Sequence, residues 1–166
     1  YVATFQTEGE DGSREVLVEI EIGGTGASPA KDGVNAWSFG MHNNSNIPVE
    51  MIESQMPLTI THYGLVPGSG GAGQHRGGDG IRRVYEFLAS ASVTINSERR
   101  VYAPYGLVGG AAGQPGQNLL VRGDTETTIG GKYAGRVDAG DRVIIETPGG
   151  GGWGQPYSGT ESRTEL

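Results

Sequence analysis

The chain has 166 residues, enough for one domain with a core of its own and too few for two large ones. A formal net charge of −7 argues against non-specific nucleic-acid binding, and the absence of cysteine excludes disulfides and thiolate metal sites. No apolar run approaches the ~20 residues of a membrane-spanning helix. The lack of cysteine fits a reducing, cytoplasmic compartment. The sequence opens on Tyr1 without a signal peptide, as a piece cut from something longer would.

Residues 1–6 read as a short strand and residues 7–13 (TEGEDGS) as a polar turn. Residues 15–22 (EVLVEIEI) form the cleanest strand pattern. Val16, Val18, Ile20 and Ile22 alternate there with Leu17, Glu19 and Glu21, giving one apolar and one mostly acidic face. A glycine-rich loop follows at 23–33, then a possible strand at 34–41. The polar cluster 42–46 (HNNSN) leads into Pro48, which favours a helix start, and Val49–Gln55 is a helix of two turns at most. Residues 58–63, 81–88, 90–96, 119–122, 133–137 and 142–147 read as further strands, with 81–88 and 90–96 as neighbours. Residues 123–125 (GDT) form a hairpin-type turn, 138–141 (DAGD) a turn, and 101–118 a loop rich in glycine and proline. Residues 157–166 read as a flexible tail. No amphipathic stretch reaches the ~12 residues of an ordinary helix. The expected fold is mainly β: a single glycine-loop-rich β-sandwich or barrel-like domain with at most one or two short helices.

Residues 69–83 (SGGAGQHRGGDGIRR) organise the chain. Six of its 31 glycines fall in these fifteen positions. Glycine permits close backbone approach at a high entropic cost, and here it is interrupted by His75, Arg76 and Asp79 rather than by serines. The run feeds directly into a strand, which marks an ordered loop whose backbone path matters rather than a linker.

The glycine strings GGTGASPAKDG (23–33), SGGAGQHRGGDGIRR (69–83), PYGLVGGAAGQPGQNLL (104–120) and AGDRVIIETPGGGGWGQP (139–156), with NNSNIPVE (43–50), SERR (97–100) and GGK (130–132), occur in one register. Together they make the chain resemble the C-terminal part of the hydantoinase B/5-oxoprolinase family, a family also represented in ATP-dependent ketone carboxylases. The resemblance implies hydrolysis of cyclic amides at the expense of ATP. An ATPase-type A subunit phosphorylates the ring carbonyl, and the B-type subunit completes hydrolysis; in the carboxylase relatives, carboxylation replaces hydrolysis. It further implies that ATP is used by the partner subunit, and that a divalent metal is bound outside this chain, in the remaining N-terminal part of the B-type subunit. The expected partners are those two components and a small cyclic amide or related carbonyl substrate, with neither nucleic acid nor membrane. One departure stands out: the histidine of the family's His-Met-Thr-Asn-Thr segment falls on Gly40, and His42 sits two places later.

Three groups are candidate site residues. His42, Asn43, Asn46 and Glu50 are the catalytic candidates, since amides and an imidazole near a carboxylate orient a polar ring or a water; a turn with Asx capping accounts for them equally. His75, Arg76 and Asp79 are substrate- or phosphate-binding candidates, because a glycine loop presents backbone N–H groups and Arg76 pairs with anions. The alternative is that Asp79 and Arg76 satisfy loop backbone and each other. Arg99 and Arg100 suit phosphate or carboxylate recognition, or a pair with Glu98 on a solvated face. His62 reads as an edge or packed histidine and Trp153 as a hydrophobic plug. No metal site is expected within the chain, since no histidine pair has zinc spacing. Two readings result: a site-shaping part of an ATP-dependent hydrolase, inactive alone, or a non-catalytic assembly module whose glycine loops pack against the rest of the enzyme.

Overall fold

Period-two alternation puts every second side chain on one face of a strand, so this chain buries itself by stacking sheets. The computed structural model describes residues 1–8, 13–37 and 45–156. Its elements are β1 (Val2–Glu8), β2 (Arg14–Ile20), α1 (Val49–Gln55), β3 (Leu58–Leu65), β4 (Ile81–Phe87), β5 (Ala91–Asn96), β6 (Gln117–Arg122), β7 (Thr125–Ile129), β8 (Lys132–Val137) and β9 (Arg142–Glu146). Four strands form one sheet in the order β2-β1-β5-β8 and five form the other, β3-β4-β9-β6-β7. All their pairings are antiparallel, and neither sheet closes into a barrel. The expected β-sandwich is the one that forms.

The core lies between the sheets. Phe5 from the first sheet meets Tyr85 and Phe87 from the second, with ring centroids 4.7 and 5.4 Å apart. Val93, Val137, Val143 and Ile145 are buried around them. Ile52 of α1 and Met56, at the helix C-cap, join this core, and α1 contacts β3. Pro48 occupies its N-cap position, one residue earlier than a first helical turn, and no side chain caps it.

Several sequence expectations change. Residues 34–37 are loop, not strand, because Val34 and Ala36 spend their backbone on the glycine loops; residues 38–41 lie outside the described residues. Strands β4 and β5 are consecutive but sit in different sheets, so residues 88–90 carry the chain across the sandwich. Thr7 and Glu8, read as turn, extend β1 and pair with Glu15 and Arg14. Strand β7 was not expected: its TETTI sequence is polar up to Ile129, and it pairs with β6 across a two-residue turn in which Gly123 takes φ +55°. The largest reversal is β2. Its acidic face, Glu19 with Leu17, is buried, as is Glu21 just beyond it, while Val16, Val18 and Ile20 are exposed.

The glycine loops pack backbone against backbone. Gly24 N–H donates to the Pro148 carbonyl at 3.0 Å, Gly78 to Thr25 at 2.9 Å, Gly150 to Gly78 and Gly71 to Gly150, both at 2.8 Å. Ala111 donates to Ala72 at 2.7 Å and Gly152 to Ala111 at 2.9 Å. Segments from four parts of the chain thus serve as one another's hydrogen-bond partners. The spacing leaves no room for side chains: a Cβ on Gly78 would land on the Val34 carbonyl, and one on Gly150 on the Thr25 carbonyl. Collagen uses glycine at its crowded axis for the same steric reason.

Gly78→Ala is expected to cost more than the roughly 1–3 kcal/mol typical of overpacking, because backbone rather than a side chain must yield. Gly26→Ala, whose added Cβ meets only the Gly151 carbonyl at 3.8 Å, is expected to stay within about 0.5 kcal/mol of the parent. Denaturant midpoints of the two variants check this pair.

Candidate functional site

Strand β4 alternates Ile81, Arg83, Tyr85 and Phe87 on its inner face, which puts a cation where the pattern calls for an apolar residue. A buried charge is tolerated only when paired and hydrogen-bonded. The acidic face of β2 supplies the partners. Arg83 is 1% exposed; its Nη1 pairs with Glu19 and lies 3.4 Å from Glu21 Oε1. The Tyr85 hydroxyl donates to Glu21 Oε1 at 2.5 Å, and Arg83 Nη2 donates to Asn46 Oδ1 at 2.8 Å. The guanidinium lies over the Tyr63 ring, 4.0 Å from its centroid. Among the described residues the Nε of Arg83 has no hydrogen-bond partner.

Burial pushes the Glu19 carboxyl above the ordinary range, with Arg83 pulling against it and Glu21 adding to it. Burial also raises the Tyr85 hydroxyl well above its usual value, reinforced by Glu21. Glu19 and Asn46 line a cavity of about 180 Å³ together with Val18 and Ile20.

A second polar group forms on the glycine loops. Asp32 Oδ1 lies 3.4 Å from His75 Nδ1 and accepts the Arg76 backbone N–H at 3.0 Å. Asn35 Oδ1 accepts both the Asp79 N–H, at 2.8 Å, and Arg76 Nη2, at 3.2 Å. Asp79 Oδ1 accepts Gly70 N–H at 2.9 Å, while its other oxygen lies 3.3 Å from Arg76 Nη1. Asp79 therefore holds the loop, and Arg76 joins loop and solvent. Asp32 also faces a cavity of about 290 Å³ walled by Trp37, Lys31 and Thr25. An imidazole oriented by a carboxylate is the geometry that general-base catalysis uses.

The structure thus brings His75, Arg76 and Asp79 together with Asp32 and Asn35, and ties Asn46 to Arg83. Glu50 is exposed in the first turn of α1. His42 and Asn43 lie outside the described residues. Arg99 is exposed at φ +57°, its guanidinium 5.9 Å from the Tyr105 ring centroid. Arg100 is engaged in packing: it lies over the Tyr1 ring at 4.8 Å and donates to Asn118 Oδ1 at 3.1 and 2.9 Å and to the Glu98 carbonyl at 2.8 Å. Its environment lowers its pKa, burial being the main cause. His62 is an exposed residue beside the β3 bulge. Trp153 is pinned through its backbone to His75 and Leu107. Among the described residues no three His, Asp or Glu side chains converge to hold a metal ion.

Glu19, Glu21, Arg83, Tyr85, Asp32 and Asn35 were not singled out as site residues from the sequence. A signal for the first four was present: an arginine on the apolar face of β4 requires an inward acid, and among the strands β2 carries acids at alternate positions.

Residues 1–156 match the Hydantoinase B/oxoprolinase family. The 5-oxoprolinase PfmaA of Pestalotiopsis fici is 38% identical over 149 residues, covering 86% of this chain and 12% of the relative. The crystal structure of an ATP-dependent caprolactamase from Pseudomonas jessenii superposes with a TM-score of 0.77 at 25% identity, over 95% of this chain and 30% of that one. The nucleotide-free acetone carboxylase structure shares the fold, with a TM-score of 0.68 at 18% identity, over 93% of this chain and 25% of that one.

Arg83→Met is expected to destabilise the protein by roughly 3–5 kcal/mol at neutral pH, because it strands two buried carboxylates. The folded-state pKa of Glu19 is already raised with Arg83 present. A raised carboxyl costs nothing below its unfolded pKa and progressively more as pH climbs towards the folded value. The gap between variant and parent should therefore shrink between about pH 7 and about pH 4. Paired denaturation curves across that range check the sign.

Proposed function

The chain belongs to the hydantoinase B/oxoprolinase family, and from that premise we propose that it is the C-terminal part of the B-type component of an ATP-dependent cyclic-amide hydrolase. The observation that carries this reading is the superposition on the ATP-dependent caprolactamase across 95% of the chain. An unstrained lactam is a poor electrophile with a poor leaving group. Transfer of a phosphoryl group from ATP to its oxygen, on an ATPase-type A subunit, makes the ring carbon open to water. Water adds there, the ring C–N bond breaks with the nitrogen leaving as an amine, and a second water hydrolyses the resulting acyl phosphate to the carboxylate and inorganic phosphate. The B-type component completes that hydrolysis in a cytoplasmic hetero-oligomer.

Within this chain, His75 oriented by Asp32 is the best-supported group for taking the proton of the attacking water. Their contact of 3.4 Å, on loops locked by backbone packing, keeps the imidazole in place. Arg76 supplies positive charge beside it for a phosphate or carboxylate. Asn46, with His42, Asn43 and Glu50 in the same stretch, is proposed to orient the ring amide. Arg99 and Arg100 belong to the same proposal only as outer contacts, since Arg100 is already bonded to Asn118. The fold shared with acetone carboxylase supports carboxylation of a phosphorylated enol as the second reading.

The test is the assembled enzyme, supplied with ATP and either 5-oxoproline or caprolactam, with ADP and the ring-opened amino acid measured together. ATP-coupled ring opening is expected, with none from the 166-residue chain alone. His75→Gln in the assembled enzyme is expected to lower kcat by about a hundredfold or more without changing assembly. Incorporation of labelled bicarbonate into a ketone would transfer the protein to the second reading. An unchanged kcat in His75→Gln would leave the chain an assembly module.

A further inference from the structure

Strand β2 is built the wrong way round for a strand facing water. Its inward positions carry Glu19, fully engaged by Arg83, so that face cannot rotate outward. Its outward positions are Val16, Val18 and Ile20, which are 56, 50 and 46% exposed. A strand with apolar residues on its outer face and a satisfied ion pair on its inner face is a strand made to be covered on both sides.

The neighbouring strands sharpen the contrast. Across the same outer face β5 presents Ser92, Thr94 and Asn96, and β8 presents Lys132 and Arg136. The apolar character is therefore confined to the β2 edge and the adjacent Val2, which pairs with Ile20. Each of the other three sheet edges carries a device against unwanted strand pairing. Strand β3 has a bulge between Ile60 and His62, β7 has a run of exposed Thr and Glu, and β8 has Lys132 and Arg136. On β2 the exposed charges, Arg14 and Glu15, stand only at its start, and none follows from Val16 to Ile20. Among the described residues nothing pairs with its outer edge; residues 45–47 pass beside Val18 and Ile20 and leave a cavity between. Next to the edge, Val16, Ile47, Met51 and Met56 line an apolar groove of about 560 Å³ that runs from β2 to α1.

We infer that the β2 edge, with the groove beside it, is the seat of an apolar extended segment from the part of the family polypeptide outside these residues. The length relation identifies the occupant: this chain aligns with 12% of the 5-oxoprolinase relative and 30% of the caprolactamase chain. Most of a relative's polypeptide is thus available to lie against it. The segment adds a strand beside β2 through backbone hydrogen bonds and places alternate apolar side chains next to Val16 and Val18 on the outer face. This inference rests on family membership and not on the proposed hydrolysis.

The experiment compares the isolated chain with the native assembly recovered from source cells through a tag on this chain. Hydrogen exchange at the β2 amides pointing away from β1 is expected to be at least tenfold slower in the assembly. Val18→Lys is expected to restore fast exchange in the assembly while leaving the unfolding midpoint of the isolated chain unchanged. Thr94→Lys, on the same outer face two strands away, is the control and should do neither. Equal exchange in both forms, or no effect of Val18→Lys on the assembly, would overturn the inference. So would native mass spectra showing that the protection comes from a homodimer of this chain. Protected β2 amides in an assembly that opens no lactam would remove the hydrolase reading and leave this one standing.

Discussion

The ion pair that joins the two sheets is the constraint from which the rest of this structure follows. Arg83 on β4 is nearly inaccessible and is met by Glu19 on β2 and Glu21 just after it. Neither side can be left without the other, since a lone buried charge is far more costly than the pair. This interaction sets the register of the edge strand, turns its valines outward and brings Asn46 to the same place. One electrostatic requirement therefore fixes both a polar pocket and an apolar margin. Packing alone would have turned β2 over.

The second constraint is steric. The glycine segments replace side-chain packing with backbone packing, and each supplies hydrogen bonds that the next one lacks. Loops normally stay at the surface because their backbone needs water. Here the backbone groups satisfy one another, so residues 77–80 and 149–152 are buried without belonging to a sheet. That rigidity gives His75, Asp32 and Arg76 fixed positions on a part of the chain with no regular secondary structure.

Much of the fold was legible in the residues. The strands around Leu58, Ile81, Ala91, Tyr133 and Arg142, and the short helix after Pro48, follow from alternation and from proline chemistry. The ordered character of the loop through His75 followed from what interrupts its glycines. The facing of β2 was not legible from its own pattern, since alternation reports that two faces differ but not which one finds a buried cation. Strand β7 was hidden because its threonines and glutamate need only a partner's backbone. The separation of β4 from β5 reflects a crossing that three residues accomplish, which resembles a hairpin in sequence. For the site, the histidine and arginine of the central loop were visible, but Asp32 and Asn35 lie some forty positions earlier, and only the folded backbone brings them near.

The glycine packing also has a consequence for how the molecule comes into being. Gly24 is bonded to Pro148, and Thr25 to Gly78, so the loops join regions that are remote along the chain. Contacts of that kind pay their closure entropy before they return any stabilisation, which makes them slow to form. The segment carrying Asp32 is bonded to residues 76–79 and, through Gly24 and Ala27, to Pro148 and Gly151, so its support is complete only when the segment ending in Trp153 has arrived. The loops that hold the polar groups are thus the last part of the domain to acquire shape. They acquire it together, so a half-folded chain presents no half-built site.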